Sequence, residues 1–336
     1  MTTPLDDGLR MPPEWGPHQA TLMAWPTITR REFWGELFAR AKEDWATVAN
    51  AVAAFEPVVM AADPAQASEA RAKCGDGVEI LPMPIDDSWM RDNGPIFVTD
   101  ASGGVALVHF RFNSWGGKFL PYDRDAEVPK RIAAHLGMRR YEAPMVLEGG
   151  SIFVDGDGTL LTTEQCLLHP NRNPGMSRER IERTLGDYLG ADHVIWLGQG
   201  HPLDRDTDGH VDAIAQYLGP GSILLDAPAD PADPYHVAGE DNLARLRAAH
   251  DAAGRPLKVV VFEAGTPSGT AYMNHYLVNG GVIVPADGEP GDDEALAQLR
   301  AAYPEREIVT VPGATILAGG GGPHCITQQI PMGDPL

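Results

Sequence analysis

The stretch that decides the fold is EGGSIFVDGDGTLLT, residues 148–162. Two short apolar runs, at 151–154 and 159–162, flank two Asp-Gly pairs. Asp-Gly is typical of the tight turns that join antiparallel strands, so the stretch predicts a β-hairpin. An acidic residue, Glu148, stands directly before its first strand.

The same plan recurs along the chain. Further hairpins are predicted at 96–98 with 105–110, at 213–218 with 222–225 and at 275–278 with 282–284, and a last strand at 326–330. The residues that open these units lie at positions 92, 148, 210, 274 and 325, which are 56, 62, 64 and 51 residues apart. Helical spacing of apolar residues is found between them, at 129–136, 177–189, 240–253 and 292–302. A near-constant period of this kind indicates a repeat architecture.

We therefore predict an α/β fold, a closed five-bladed α/β propeller with one repeat per blade. The N-terminal part adds predicted strands at 21–26 and 58–62 and predicted helices at 32–55 and 64–73. No linker-like segment interrupts the period of the repeat. The Pro- and Asp-rich segment 227–234 comes nearest to a linker, and it is interpreted as a long loop. Residues 1–336 are predicted to form a single domain.

Composition limits the function classes. The formal net charge of −21 argues against nucleic acid as a partner and favours capture of a small cation. A membrane span is not expected, because no run of about 18 apolar residues occurs. The first 15 residues lack the apolar core of a signal peptide, so a cytoplasmic location is expected. Three cysteines are too few for a disulfide framework or a zinc site, and Cys74 and Cys166 are predicted to be structural.

Four of the five openings carry reactive groups: Asp92, Glu148, the pair His210 and Asp212, and Cys325. Each has an ordinary structural explanation when taken alone, such as a turn cap or a surface charge. In a ring of repeats, however, equivalent positions face the central axis, so these groups are expected to converge. Alternation along a strand is expected to place His210 and Asp212 on one face.

A thiol, a histidine and three carboxylates suggest one kind of chemistry. A free thiol has a pKa of about 8.5, and nearby carboxylates raise it further. Such a site is active only with a cationic substrate, and paired carboxylates suit the forked donors of a guanidinium. Attack of cysteine on the guanidinium carbon, with histidine protonating the departing ammonia, follows.

Several longer motifs identify a family. They are RMPPEW at 10–15, WMRDNGP at 89–95, EGGS at 148–151, LTTEQCLL at 161–168, DTDGHVD at 206–212 and GGGGPHCITQQ at 319–329. Together these motifs closely resemble bacterial agmatine deiminase over nearly the whole chain. The resemblance implies a guanidine-modifying enzyme of the pentein type, whose fold is a five-bladed α/β propeller.

The resemblance also implies a reaction, the hydrolysis of agmatine to N-carbamoylputrescine and ammonia without metal or organic cofactor. Cys325 would be the nucleophile that forms a thiouronium intermediate. His210 would protonate ammonia and then activate water. Asp92 and Asp212 would hold the guanidinium nitrogens, and Glu148 would support His210 and the guanidinium.

Substrate choice depends on other residues. Residues 314–324 contain no Arg or Lys, whereas the loop before His210 is acidic, which favours a terminal ammonium over a carboxylate. The residues expected to bind substrate, besides Asp92 and Asp212, are Trp89, Trp115, Asp206, Asp208, Gly320, Gly321 and Gly322. Core packing is the alternative role for both tryptophans. Arg91 and Lys118 remain possible partners of a substrate carboxylate.

Alternatives stay open at this point. Free arginine or peptidyl-arginine would use the same chemistry, and a metal-dependent hydrolase could use His210, Asp212 and Asp92. A propeller that only binds a partner is the alternative from another class. A homo-oligomer is possible. His275 and the loop 201–203 depart from the family pattern.

Overall fold

A computed structural model describes residues 2–202, 204–263 and 271–336, so Leu203 of the unusual loop lies outside the described residues. The strands are β1 His18–Ala24, β2 Val58–Ala62, β3 Val78–Pro82, β4 Ile96–Thr99, β5 Gly104–Arg111, β6 Arg140–Val146, β7 Ile152–Val154, β8 Thr159–Thr163, β9 His193–Leu197, β10 Ala215–Gly219, β11 Ser222–Asp226, β12 Lys258–Phe262, β13 Tyr276–Val278, β14 Gly281–Pro285, β15 Glu307–Val311, β16 Thr327–Pro331 and β17 Asp334–Pro335. The α-helices are α1 Arg31–Trp34, α2 Phe38–Ala53, α3 Ala67–Lys73, α4 Met90–Asn93, α5 Ser114–Gly117, α6 Val128–Leu136, α7 Glu164–Leu167, α8 Arg178–Leu189, α9 His236–Ala248, α10 Asp292–Ala302 and α11 Ala314–Ala318.

These strands form five sheets that share one plan. In four of them an antiparallel hairpin is followed by a third strand parallel to the second: β4-β5-β6, β7-β8-β9, β10-β11-β12 and β13-β14-β15. In the fifth sheet β16 is antiparallel to β1, and β1 is parallel to β2. The two ends of the chain therefore share one sheet. The predicted α/β fold is confirmed, and five sheets of matching order are compatible with five blades.

The sequence prediction missed the third strand of the four hairpin sheets (β6, β9, β12 and β15), whereas β2 of the fifth sheet lies where a strand was predicted, at 58–62. β12 and β15 carry exposed and half-buried residues along most of their length, so their apolar signal is weak. The predicted helix at 32–55 is also wrong as one element. The chain turns at Gly35, where φ is +52°, and α2 begins only at Phe38. A positive φ of this size favours glycine and interrupts a right-handed helix.

A short helical turn precedes the first strand at four of the five openings. These turns are α4 and the 3₁₀ turns Gly149–Ser151, Val211–Ala213 and Tyr272–Asn274. The expectation that strand alternation orients His210 and Asp212 is therefore wrong, because residues 211–213 are helical. Their convergence has to come from tertiary contacts instead.

The core is divided among the sheets and the helices that cover them. Trp25 and Trp45 are fully buried, and they belong to a cluster that also holds Trp89, Trp115 and Cys325. Aromatic packing of this kind fixes the neighbourhood of the thiol. Within the described residues, no helix has the length and apolar character that crossing a bilayer would require.

Candidate active site

Cys325 lies just before β16 and is 5% exposed. Its Sγ is 3.7 Å from Oδ2 of Asp212, and its backbone N–H donates to Oδ1 of Asn274 at 3.1 Å. The Asn274 amide in turn donates to the backbone carbonyl of Asp212 at 3.3 Å. A Cβ on Gly322 would come within 2.8 Å of the same Asn274 oxygen. Asn274, which opens the fourth hairpin, thus holds the thiol and a carboxylate together.

The glycines before the thiol are needed for close approach. A Cβ at Gly321 would lie 2.7 Å from the Trp89 ring and 2.9 Å from Sγ of Cys325. Gly320 has a φ of +104°, and a Cβ there would lie 2.9 Å from Oδ2 of Asp206. All three distances are shorter than ordinary packing allows, so larger residues would displace the nucleophile or its neighbours.

Three of the predicted groups converge on the backbone of Gly150. A Cβ there would lie 2.7 Å from Nδ1 of His210, 2.8 Å from Oδ2 of Asp212 and 3.0 Å from Oδ1 of Asp92. The Gly150 N–H also donates to Asp92 Oδ1 at 3.0 Å. The sequence pattern therefore pointed to groups that share one place, and Gly150 makes the room for them.

His210 is buried among negative groups. Its Nε2 is 3.6 Å from Oε2 of Glu148, and its Nδ1 is 3.8 Å from Oδ1 of Asp92. Burial opposes the charged form, but Asp92, Cys166 and Glu148 raise the pKa of His210 well above its usual range. The imidazole is therefore a protonated acid at neutral pH.

Glu148 is held by an arginine that the sequence analysis did not select. Nε of Arg172 donates to Oε1 of Glu148 at 2.7 Å, and neither side chain is exposed. The same guanidinium reaches Oδ2 of Asp208 at 2.7 Å and the carbonyl of Thr207 at 2.9 Å. Burial opposes ionisation of Glu148, but His210 and Arg172 lower its pKa. Arg172 thus fixes Glu148 as a carboxylate beneath the histidine.

Asp212 is held by a second pair of unpredicted residues. His324 Nδ1 is 2.8 Å from Oδ2 of Asp212, and its Nε2 is 2.8 Å from Oε2 of Glu14. Burial opposes the charge of each group, yet the pKa of His324 is raised and that of Asp212 is lowered. Against burial, His324 and Arg91 lower the pKa of Glu14 to about 2. His324 therefore lies between two carboxylates that favour its charged form, and its contact in turn favours the ionised form of Asp212.

The surroundings of Cys325 favour the neutral thiol. Burial, followed by the charges of Asp212 and Asp92, raises the pKa of Cys325 well above its usual range. Burial also raises the pKa of Asp92 to about 6, with His210 acting against it and Asp212 with it. A bound cation would relieve both effects, because it favours the ionised form of each group.

The acidic loop before His210 divides by role. Asp204 accepts N–H bonds from residues 207, 209 and 210 at 2.9, 2.9 and 3.1 Å, so it shapes the loop. Asp208 is 2.7 Å from Nζ of Lys118 and 2.7 Å from Arg172. Burial opposes it, but bonds from Asn171, Lys118 and Arg172 lower the pKa of Asp208 to about 2. The geometry therefore disfavours Asp208 as a substrate contact.

The two cations that kept a substrate carboxylate possible are already engaged. Lys118 also donates to the carbonyl of Asp206 at 2.8 Å. Arg91 is buried and donates to Oε1 of Gln329 at 2.9 Å and to the carbonyl of His324 at 3.3 Å. Neither lines the cavities described below. The expectation for these two residues is not supported.

Both tryptophans pack in the core and also border the site. Trp115 is 4% exposed, and its Nε1 donates to Oδ2 of Asp92 at 2.9 Å. Trp89 is 6% exposed and stacks on Trp34, with ring centroids 6.3 Å apart. Trp115 therefore orients a carboxylate as well as forming a wall.

Two cavities meet at Cys325. The larger, of about 150 Å³, is bordered by three of the reactive groups, Cys325, His210 and Asp212, and its wall is largely apolar. It is lined by His201, Asp204, Arg205, Asp206, Thr207, His210, Asp212, Ala213, Asp226, Phe262, Ala271, Tyr272, Met273, Asn274, Leu317, Gly320, Gly321 and Cys325. The smaller, of about 20 Å³, is aromatic; it is lined by Phe33, Asp87, Trp89, Asp92, Trp115, Phe119, Asp206, Thr207, Gly319, Gly320 and Cys325. Asp206 and Gly320 border both.

One group of described residues has metal-ligand geometry, and it differs from the set considered in the sequence. Ligand atoms of Glu148, Cys166 and His210 lie within 4.8 Å of one another. The buried Arg172 guanidinium, 2.7 Å from Glu148, already supplies positive charge there and disfavours a cation. Cys166, predicted to be structural, lies against His210 and contributes to its protonation.

His275, which departs from the family pattern, is part of the structure and not of the site. Its Nδ1 is 2.8 Å from the carbonyl of Tyr272, and its Nε2 is 2.8 Å from the hydroxyl of Tyr303. Burial lowers the pKa of His275 to about 4, so it stays neutral.

The sheets and the openings together define an α/β protein with a cysteine-centred acid–base site. Residues 10–331 match the family model described as Porphyromonas-type peptidyl-arginine deiminase. The chain belongs to that family.

Its relatives cover nearly all of the chain. It is 42% identical to the agmatine deiminase of Pseudomonas aeruginosa, over 98% of this chain and 97% of the relative. It is 43% identical to a putative agmatine deiminase of Streptomyces coelicolor, over 96% and 98%. Among solved structures, the agmatine deiminase of Enterococcus faecalis is 35% identical and superimposes with a TM-score of 0.95, covering 99% of this chain and 98% of that one.

Proposed function

We propose that this protein hydrolyses agmatine to N-carbamoylputrescine and ammonia through a covalent intermediate on Cys325. The observation that carries the proposal is the buried thiol 3.7 Å from Asp212, in a site whose carboxylates hold the thiol neutral until a cation arrives. Its similarity to proteins named agmatine deiminase supports the choice of substrate.

Binding and ionisation are coupled. Asp92 and Asp212 flank the space beside Sγ, so their oxygens are suited to accept hydrogen bonds from guanidinium nitrogens. The bound cation offsets their charge and lowers the thiol pKa, and the thiol releases its proton to solvent as substrate binds, because His210 already carries a proton. Substrate therefore activates its own nucleophile.

Two half-reactions follow. The Cys325 thiolate attacks the guanidinium carbon, and the neutral tetrahedral adduct breaks its bond to one terminal nitrogen. Protonated His210 supplies the proton with which that nitrogen leaves as ammonia, so a positively charged thiouronium remains on Cys325.

Neutral His210 then takes a proton from water as the oxygen attacks the same carbon. The second adduct breaks its carbon–sulfur bond and loses its hydroxyl proton, which frees the neutral carbamoyl product and leaves Cys325 as a thiolate. A proton returns to the sulfur when the product departs. Glu148 keeps the ring of His210 in place between these proton transfers, because Arg172 holds Glu148 itself.

The electrostatics of the larger cavity favour agmatine over amino acids. Its wall carries several carboxyl groups, and in the acidic loop Asp206 is the carboxylate left for a ligand after Asp204 and Asp208 are bonded within the protein. One observation favours a second candidate, free arginine or peptidyl-arginine: exposed Arg205 also lines this cavity and could meet a carboxylate.

The test is ammonia release from purified protein with agmatine, arginine and a blocked peptidyl-arginine measured in parallel, beside the Cys325→Ser variant. Turnover of agmatine that is lost in Cys325→Ser supports the proposal. A preference for arginine or the peptide would leave the proposed reaction type intact and overturn the assignment of agmatine as the substrate. If none of the three compounds releases ammonia, the assignment of deiminase activity is overturned. Polyamine metabolism, a homo-oligomeric state and a cytoplasmic location stay predictions.

A further inference from the structure

One carboxyl group in the larger cavity has no task in the chemistry above. Asp226 is the last residue of β11, and its side chain lines this cavity. Its Oδ1 is buried, and no donor among the described residues lies within hydrogen-bond distance of it. A buried carboxylate oxygen without a partner costs free energy that the fold has not offset locally. A ligand that supplies the missing donor would remove this cost.

The position of Asp226 is fixed relative to the guanidinium-binding carboxylates. Its backbone N–H donates to the carbonyl of Ile214 at 2.8 Å. Ile214 follows Asp212 by two residues, which span at most about 7 Å of chain. Asp212 and Asp226 are therefore neighbours in space, and both line the same cavity, so a four-carbon chain bound in that cavity can have one residue near each end.

The wall between them suits such a chain. Phe262, Tyr272 and Met273 line the same cavity, and their side chains are buried. Apolar surface of this kind covers methylene groups and excludes water, so an ion pair beyond it is strengthened.

We propose that Asp226 binds the terminal ammonium of the guanidine substrate and so selects agmatine over guanidines without that charge. The assignment rests on the proposed function, and it names the residue that recognises the far end of the substrate. Burial, followed by the charge of Asp233, raises the pKa of Asp226 to about 7, which fits a carboxylate that lacks its cation.

Asp206 is less suited to this role. It borders both cavities beside Cys325 and lies 2.9 Å from the position of a Cβ on Gly320, so it is near the reacting end. Lys118 also partly offsets its charge. Asp206→Asn is therefore the comparison variant, an equal change at the other carboxylate of this cavity that is left for a ligand, and it shows which of the two carboxylates the ammonium needs.

The experiment compares agmatine with n-butylguanidine, which has the same four-carbon chain and no amine. In Asp226→Asn, KM for agmatine is expected to rise roughly 10- to 100-fold, because a hydrogen bond to a charged group is lost. KM for n-butylguanidine should stay close to that of the wild type, and kcat should change less than KM for both. The thermal unfolding transition of each variant is measured as well, to check that the variant is folded.

Three results would overturn the assignment. One is an equal effect of Asp226→Asn on both substrates, and another is a selective loss for agmatine in Asp206→Asn instead. The third is a wild-type protein that releases ammonia from neither guanidine, which overturns the proposed function itself and is recognised without any variant. With an active wild type, failure of the Asp226 assignment alone is thus separately visible.

Discussion

Gly150→Ala is the smallest change that perturbs several reactive groups at once. The added methyl carbon would lie 2.7 Å from Nδ1 of His210, 2.8 Å from Asp212 and 3.0 Å from Asp92, where ordinary contact begins at about 3.4 Å. At least one group has to move by several tenths of an ångström or more. The φ of Gly150 is not positive, so the backbone itself tolerates alanine. The effect therefore comes from displacement of the site.

Two magnitudes follow from this geometry. Misplacement by about 1 Å costs roughly 100-fold in rate, so a displacement of several tenths of an ångström should lower kcat/KM for agmatine by about 10- to 100-fold. Overpacking of a filled interior costs about 1–3 kcal/mol, so the free energy of unfolding should fall by that amount. Steady-state ammonia release and thermal unfolding measure the two effects separately.

The matched control is Gly186→Ala in helix α8. The nearest atom to a Cβ there is 3.6 Å away, and alanine favours a helix by about 1 kcal/mol over glycine. This variant should keep full activity and equal or greater stability. The reasoning is refuted if Gly150→Ala keeps kcat/KM within about 3-fold of the wild type, since the Gly150 contact would then impose no constraint.

Three further predictions concern charge. A cationic haloacetamidine should alkylate Cys325 at neutral pH much faster than neutral iodoacetamide does, because only the cation lowers the raised pKa of the thiol. Mass spectrometry measures both rates, with Cys325→Ser as the control, and equal rates would contradict this prediction. Arg172→Met should lower the free energy of unfolding by about 3–5 kcal/mol, since the fully buried Glu148 loses its guanidinium partner. Arg178→Met, at a half-exposed ion pair, should cost about 0–1 kcal/mol, and similar losses for the two variants in denaturant unfolding would refute the burial argument. Glu14 has a pKa of about 2 in the folded protein and an ordinary value of 4.5, so the folded state binds this proton less readily than the unfolded state does. Its stabilisation, on the order of 3 kcal/mol, is present above pH 4.5 and lost as the pH falls towards 2; a wild-type advantage over Glu14→Gln that does not narrow between pH 5 and pH 2 would contradict the sign.

The fold was largely predictable because its repeat unit has a strong local signal. Buried strands such as β7 and β8 read as apolar runs, and Asp-Gly turns separate them. The third strands gave no such signal, since β12 and β15 are partly exposed and their pairing with the preceding strands is tertiary. The orientation of His210 also escaped the prediction, because a 3₁₀ turn replaces the expected strand.

The candidate reactive groups were selected from their common phase in the repeat, and the residues that contact them were not. Arg172 lies 24 residues from Glu148 in sequence, and Glu14 lies 310 residues from His324. A charged residue that pairs in the interior looks like a surface charge until the chain is folded. Asp226 could not be recognised from the sequence for the same reason. Its Oδ1 is buried and has no hydrogen-bond donor among the described residues, and this is visible only in the folded chain.

The most direct test of the central claim is mass spectrometry of the protein quenched shortly after mixing with agmatine. Attack by Cys325 predicts a transient adduct on the peptide that contains residues 319–329, with the mass of agmatine less one ammonia, and no adduct in Cys325→Ser. A Cys325→Ser variant that still releases ammonia at the wild-type rate, or an adduct on another residue, would contradict the claim.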